Sequence, residues 1–171
     1  DEAEQWYRKA LEIRERLGQD RNAANQYHQL GIIAEERQHF EKAEQWYKKA
    51  LEVRERLGLE REAADDHIHL GNIAKELQHF EEAEQWYRKA LEIFEGLGLE
   101  QDAAGGYHGL GNLADVRLRF EEAEQWFRKA LEIYERLDLE PEASVIYHQL
   151  GIIAQERQRF DEAEQWYRKA L

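Results

Sequence analysis

Apolar residues recur along this chain at spacings of three and four, which is the pattern of an amphipathic helix. Within 40–57 these positions are Phe40, Ala43, Trp46, Tyr47, Ala50, Leu51, Val53 and Leu57. The apolar arc is broad for a surface helix, so we expect the helix to be covered on two sides, by its partner and by the next repeat. A second stretch, over 60–78, has the same spacing at Ala63, Ala64, His67, Leu70, Gly71 and Ala74. The pattern therefore predicts a pair of helices.

The breaks between the predicted helices are short. Only a few residues, around Gln38 and His39, separate two neighbouring helices, so the pair must form an antiparallel hairpin. Gly58 directly follows the other helix and can adopt the left-handed conformation of a helix C-cap. Its equivalents are Gly18, Gly98 and, as the one departure, Asp138.

A glycine also recurs inside the predicted helix over 60–78 and its equivalents. It follows a leucine each time, at Gly31, Gly71, Gly111 and Gly151. A glycine in a helix interior costs roughly 1 kcal/mol relative to alanine. Because every copy accepts this cost, we expect another helix to pack where the Cβ would lie.

The two-helix pattern repeats every 40 residues, as the tryptophans show at Trp6, Trp46, Trp86, Trp126 and Trp166. Each lies in a close copy of Ala-Glu-Gln-Trp-Tyr-Arg-Lys-Ala-Leu. Such a period is typical of stacked repeats, in which each unit contacts only its neighbours. A regular aromatic is usually part of the packing, although an exposed anchor for a partner is the alternative. The expected division is a leading second helix at 1–19, complete hairpins at 20–58, 59–98 and 99–138, and at 139–171 a hairpin with a truncated second helix. Because the chain starts inside a repeat without Met, we interpret it as a piece of a longer array.

The motifs Tyr147–Ala154, Phe160–Ala163 and Tyr167–Leu171 together resemble the tetratricopeptide repeat. That family has an aromatic residue, then Leu-Gly, then an aromatic at the hairpin bend and a small-aromatic-small spacing in the second helix. The copies here have 40 residues, whereas about 34 is commoner in the family. The long form resembles repeats of kinesin-light-chain type and bacterial signalling-protein arrays. The family's proline after the second helix is absent.

The resemblance implies an all-α, right-handed superhelical solenoid whose concave face is lined by the first helix of each hairpin. Family members usually bind an extended peptide or a helix on that face. Carried over by position, the peptide-binding residues are Asn25, His28, Ile32, Glu35, Asp65, Ile68, Asn72, Lys75, Gly105, His108, Gly109, Asn112, Asp115, Val116, Val145, His148, Ile152 and Gln155. A clamp for a terminal carboxylate is disfavoured, because Asn72 and Asn112 have no basic companion except Lys75.

Two features of this predicted face leave alternatives open. Gly105, Gly109, Asn112 and Val116 share one helix face, which is either a shallow pocket for a bulky partner side chain or drift in a redundant array. His28, His108 and His148 form a predicted ladder, whose protonation would strengthen binding to acidic peptides. Glu35 and Glu36 are interpreted as ordinary surface acids.

Composition excludes several classes of function. The net charge is −13 and 36% of residues are charged, so a clustered basic face for nucleic acid is disfavoured. No apolar run is long enough to span a membrane and no targeting pattern opens the chain, so we expect a cytoplasmic protein. There is no Cys, and Ser144 is the only serine. We expect no enzyme activity, cofactor or metal.

The expected function is a non-enzymatic scaffold for protein–protein interaction, with a neutral or basic protein or peptide as its partner. The alternative is a structural spacer that associates end to end through uncapped termini, or the sensor arm of a larger signalling protein.

Overall fold

The computed structural model describes Trp6, Lys9 and residues 20–171, and the leading helix predicted at 1–19 otherwise lies outside these residues. Every regular element in the described part is an α-helix. The helices are α1 (Asp20–Glu36), α2 (Phe40–Arg56), α3 (Glu60–Glu76), α4 (Phe80–Gly96), α5 (Glu100–Val116), α6 (Phe120–Arg136), α7 (Glu140–Glu156) and α8 (Phe160–Lys169). The sequence pattern predicted helix ends at residues 57 and 78, and the structure has these ends at Arg56 and Glu76, within two residues of the prediction.

The helices belong to two compact units, of which the first ends at Ile93 and the second is Phe94–Leu171. In the first unit α2 packs against α1 and against α3. In the second unit α6 packs against α5 and α7, and α7 also packs against α8. The helix that carries the broad apolar arc is therefore covered from two sides, as its sequence predicts.

The bends use left-handed backbone at every described break. Gly58 and Gly98 have φ of +66° and +68°, and Asp138 has φ of 55°, which confirms the predicted cap positions outside the undescribed Gly18. The bend inside each hairpin was not predicted to need such a residue, yet Gln38, Gln78, Leu118 and Gln158 have φ of 59°, 61°, 56° and 59°. The Gln38 and His39 amides donate to the carbonyls of Glu35 and Ala34, each at 2.8 Å. These two bonds form a Schellman motif, which closes the helix end.

The helix-interior glycines receive an aromatic ring from the partner helix. A Cβ at Gly31 would lie 2.6 Å from the Tyr47 ring, and a Cβ at Gly111 would lie 2.5 Å from the Phe127 ring. Gly71 and Gly151 meet Tyr87 and Tyr167 in the same way, at 2.7 and 2.5 Å. Real Cβ atoms do not approach a ring so closely, so the prediction of a helix packed against each glycine is confirmed.

The cores are built from small residues around large aromatic rings. Tyr47 in the first unit and Phe127 in the second are fully buried, beside alanines such as Ala43 and Ala123 with 0% exposure. Close packing of this kind leaves few voids, so changes of side-chain volume at these positions are costly.

Four of the tryptophans are half-buried in a repeated stack. Trp46, Trp126 and Trp166 stack on Tyr27, Tyr107 and Tyr147 with ring centroids 5.9, 5.8 and 5.9 Å apart, and Trp86 stacks on His67 at 5.2 Å. The ammonium groups of Lys49, Lys89, Lys129 and Lys169 lie 4.6–4.9 Å from the centroids of the same four indoles. Such cation–π contacts add to the packing. The predicted packing role is confirmed for these four residues.

Candidate functional site

The predicted binding residues lie on α1, α3, α5 and α7, the first helices of the hairpins. The more exposed ones are Asn25, Val116, Val145, His148 and Gln155. The half-buried ones are His28, Ile32, Glu35, Asp65, Ile68, Asn72, Lys75, Gly105, His108, Gly109, Asn112, Asp115 and Ile152. None of these residues is buried, so each retains some surface that a ligand can contact.

A buried ion pair lies beneath this face in the first unit. The Arg54 guanidinium contacts Asp66 Oδ1 at 2.6 Å, and Asp66 is 0% exposed. Arg54 also donates to the Glu62 carbonyl at 2.9 Å and to Asn25 Oδ1 at 3.3 Å. His28 Nδ1 lies 2.8 Å from the same Asp66 oxygen. Arg54 and Asp66 therefore position the side chains of Asn25 and His28 through these contacts.

Arg54 and Asp66 were not predicted as site residues, although the repeat contains a signal for them. The equivalents of Arg54 are Arg14, Phe94 and Tyr134, and the equivalents of Asp66 are Gln26, Gly106 and Ile146. Asp66 is therefore the one charged residue at its repeat position. A charged residue at an otherwise uncharged position, with a residue of opposite charge at the facing position, predicts an ion pair.

Glu35 is the centre of a second polar cluster in the first unit. The Tyr47 hydroxyl donates to Glu35 Oε2 at 2.6 Å, and His69 Nδ1 lies 3.1 Å from the same oxygen. The Tyr47 and His69 rings stack at 4.7 Å. Burial raises the pKa of Glu35, but the hydrogen bonds from His69 and Tyr47 outweigh it and hold the pKa below its usual value. The interpretation of Glu35 as an ordinary surface acid was wrong.

The next hairpin of the first unit satisfies its tyrosine in a similar way. The Tyr87 hydroxyl donates to Asn72 Oδ1 at 2.7 Å. Burial raises the pKa of Tyr87, so its hydroxyl stays protonated and continues to donate. Asn72, a predicted binding residue, therefore has part of its hydrogen-bonding capacity occupied by the fold.

The corresponding position in the second unit lacks the hydroxyl. Phe127 stands where the other described copies have Tyr47, Tyr87 and Tyr167. The Tyr167 hydroxyl donates to Gln155 Oε1 at 3.2 Å, but Phe127 can donate nothing to Asp115. The Asp115 carboxylate has no hydrogen-bond or ion-pair partner among the described residues. Burial and the neighbouring Glu156 raise its pKa.

The second unit, which contains Asp115, also has exposed apolar surface. Val116 is 54% exposed and Val145 is 48% exposed. A Cβ added at Gly105 would meet no atom within 4 Å, so space is open above that glycine. A further cleft of about 510 Å³ is lined by residues that include His148, Gln155 and Phe160.

The described residues offer little support for other kinds of site. Among residues 6, 9 and 20–171, no three His, Asp or Glu side chains are placed to hold one metal ion. In the same part of the chain, no helix has both the length and the hydropathy needed to cross a membrane. The Ser144 hydroxyl donates to the Ala170 carbonyl at 2.8 Å, so it is engaged in a structural bond.

The hairpins, the packed glycines and the accessible first-helix faces define a helical repeat protein of the all-α solenoid class. The tetratricopeptide repeat family model matches residues 1–56, 41–96, 61–136 and 102–171. The chain therefore belongs to the tetratricopeptide repeat family. Repeats of this family are typically protein-interaction scaffolds, and that is the class of function indicated for this chain.

Solved structures support the same fold. The chain is similar to BtubC (BKLC) from P. vanneervenii, with 28% identity, a TM-score of 0.89, and coverage of 99% of this chain and 70% of that one. It is also similar to a Rap protein complexed with competence and sporulation factor, with 20% identity, a TM-score of 0.87, and coverage of 98% and 47%. The apo form of RapI matches with 18% identity, a TM-score of 0.86, and coverage of 98% and 47%. The chain thus spans about half the length of the two Rap proteins. No curated protein sequence matches this chain.

Proposed function

We propose that this chain is a non-enzymatic scaffold that binds a peptide or helix of a partner protein on the first-helix faces of its hairpins. The observation that carries the proposal is that all eighteen predicted residues keep solvent-accessible surface, while the second helices supply the rings that pack against the helix-interior glycines. The Rap protein complexed with competence and sporulation factor is a precedent for ligand binding by a protein of this fold.

The charge of the chain favours a neutral or basic partner. The net charge of −13 produces a negative potential that attracts cationic ligands and slows the approach of acidic ones. This preference concerns the rate of encounter more than affinity, so the first-helix side chains must supply the specificity. The proposed compartment is the cytoplasm.

A peptide selection tests this function directly. The purified chain is used to select binders from a displayed library of random dodecapeptides, and the recovered peptides are measured by fluorescence anisotropy. We expect saturable binding that Asn112→Ala together with His108→Ala weakens. Glu132→Gln, an exposed position on α6, serves as the control and should leave binding unchanged. Recovery of no saturable binder, or equal effects of both sets of substitutions, would contradict the proposal.

A second candidate function is association of the chain with further copies of itself. Its supporting observation is that Phe160 is 64% exposed and borders the cleft that Tyr167 and Leu171 also line. Exposed apolar surface of this kind favours contact with another protein surface. Sedimentation velocity over a hundredfold range of concentration should then show assembly that Phe160→Glu abolishes. A sedimentation coefficient that is independent of concentration would exclude this candidate.

A further inference from the structure

We infer that the second unit carries a subsite for a peptide in which a basic residue adjoins a bulky apolar one. The basic side chain lies against Asp115 and Glu156, and the adjoining apolar side chain lies against Val116. Further apolar side chains of the same peptide lie over Gly109, Gly105 and Val145. The inference rests on the proposed function, because it specifies the chemistry of the ligand and the part of the chain that recognises it.

The apolar part of the subsite is formed by residues that differ from those at equivalent positions in the first unit. Position 105 is Gly and position 145 is Val, where the first unit has Asn25 and Asp65. Val116 likewise replaces Glu36 and Glu76. The second unit thus presents exposed apolar surface, with open space above Gly105, where the first unit presents polar groups. A bulky apolar side chain placed there would leave water, which is favourable.

The polar part follows from the missing tyrosine hydroxyl. Glu35 in the first unit accepts bonds from Tyr47 and His69. Its equivalent Asp115 has Phe127 at the tyrosine position, so that donor is absent. Gln149 stands at the histidine position, but among the described residues it makes no hydrogen bond to Asp115. A half-buried carboxylate without donors is costly to keep charged, and an incoming donor relieves that cost.

The ligand's donor is expected to be a cation rather than a neutral group. Asp115 and Glu156 are close enough for Glu156 to raise the pKa of Asp115. Two neighbouring carboxylates repel each other, and a positive charge beside both converts the repulsion into attraction. An arginine or lysine side chain has this charge and the N–H donors that a carboxylate accepts.

The first unit is a poorer place for the same ligand. Its acids Glu35 and Asp66 are already bonded to His69 and to Arg54, and Asn72 accepts from Tyr87. A ligand would have to exchange these internal bonds for its own, which yields little net free energy. The ligand we propose is therefore a peptide segment with adjoining basic and apolar residues, bound to the second unit.

The test uses the full chain and the peptides recovered from the dodecapeptide library. We expect an enriched arginine or lysine within two residues of leucine, isoleucine, phenylalanine or tryptophan. Asp115→Asn should weaken binding of these peptides at least about tenfold, because a charge-assisted bond is lost. Gly109→Gln, which restores the residue of Gln29 and Gln149, should weaken binding, because its side chain lies on the same helix face as the open space above Gly105, four residues away. The control is Asp161→Asn, an exposed acid on α8 with the same change of charge.

The outcomes separate this inference from the proposed function. Peptides that bind saturably but show no basic enrichment, or that bind Asp115→Asn as tightly as the parent chain, overturn the inference and leave the proposed function standing. If no peptide binds, both fail. Thermal unfolding of Asp115→Asn monitors folding, and a midpoint no lower than that of the parent assigns any loss of affinity to the subsite.

Discussion

The two compact units share one repeat pattern but treat their first-helix faces in opposite ways. In the first unit Arg54, Asp66, Glu35 and His69 bond to one another or to neighbouring groups of the same unit. In the second unit the equivalents of Arg54 and Asp66 are Phe94 and Gly106, and the equivalents of Glu35 and His69 are Asp115 and Gln149. At the positions of Arg54 and Asp66, the repeat therefore accepts an ion pair in the first unit and uncharged residues in the second.

This difference shows where the repeat constrains the sequence and where it does not. The ring under each helix-interior glycine is present in every described hairpin, because that contact joins the two helices of a hairpin. The positions between successive hairpins vary, since a pair of large residues can be replaced by a large residue facing a small one. Specificity is therefore expected in the variable positions.

The largest predicted effect comes from breaking the buried ion pair of the first unit. Arg54→Phe leaves Asp66 buried without its cation, and such a loss costs about 3–5 kcal/mol. The double variant Arg54→Phe with Asp66→Gly installs the residues of positions 94 and 106 and should recover most of this free energy. Urea unfolding followed by circular dichroism measures both changes. A double variant as unstable as the single one would show that the two kinds of packing are not interchangeable.

The next effect is the pH dependence that His67 contributes in the first unit, where its ring stacks on Trp86. Burial, together with the positive charge of Lys89, lowers the pKa of His67 to about 4. The unfolded chain binds this proton at about pH 6.5, so the folded state disfavours protonation below that pH. The free energy of unfolding should therefore fall between pH 6.5 and 4, by up to about 3 kcal/mol.

His67→Tyr isolates this contribution, since tyrosine occupies the equivalent positions 27, 107 and 147. Other acids titrate over the same range, so the measured quantity is the difference between the parent and the variant at each pH. We expect the parent to lose more stability than His67→Tyr as the pH falls. Parallel curves for the two proteins would refute the assignment.

A third effect exchanges the tyrosine hydroxyl between the units. Tyr47→Phe removes a donor from the half-buried Glu35 and should cost about 1–2 kcal/mol. The reverse change, Phe127→Tyr, supplies the donor that Asp115 lacks and should stabilise the chain by about 1 kcal/mol. Urea unfolding of both variants measures the opposite signs. Effects of the same sign would indicate that Asp115 does not lie where a hydroxyl at residue 127 can reach it.

The sequence predicted the elements and the hairpin packing because both repeat. Each copy has apolar residues at spacings of three and four, a C-cap position such as Gly58 and an interior glycine such as Gly71. Each of these features predicts the same local structure in every copy. The stacking of Trp46 on its neighbour follows from the same regularity. Period and pattern were sufficient for these features.

The candidate site was only partly predictable, because it depends on residues that differ between copies. The resemblance to the family predicted that Glu35 and Asp115 both lie on the binding face of the first helices. It could not show that Tyr47 and His69 satisfy the first acid while the second acid has no donor. That distinction arises from Phe127 and Gln149, two departures on different helices that replace the tyrosine and the histidine of the first unit.

The smallest predicted effect should be the same in both units. Leu118 and Gln78 end equivalent helices in the left-handed region, with φ of 56° and 61°, which costs a residue with a Cβ about 1 kcal/mol or more. Leu118→Gly and Gln78→Gly should each stabilise the chain by up to about 1 kcal/mol, since glycine removes that strain but gains freedom in the unfolded chain. Thermal unfolding of the two variants gives the comparison, with Gly98→Ala as the opposite change at φ +68°. Equal gains would show that the bends belong to the shared scaffold, whereas a gain in only one unit would mean that the bends also differ between the units.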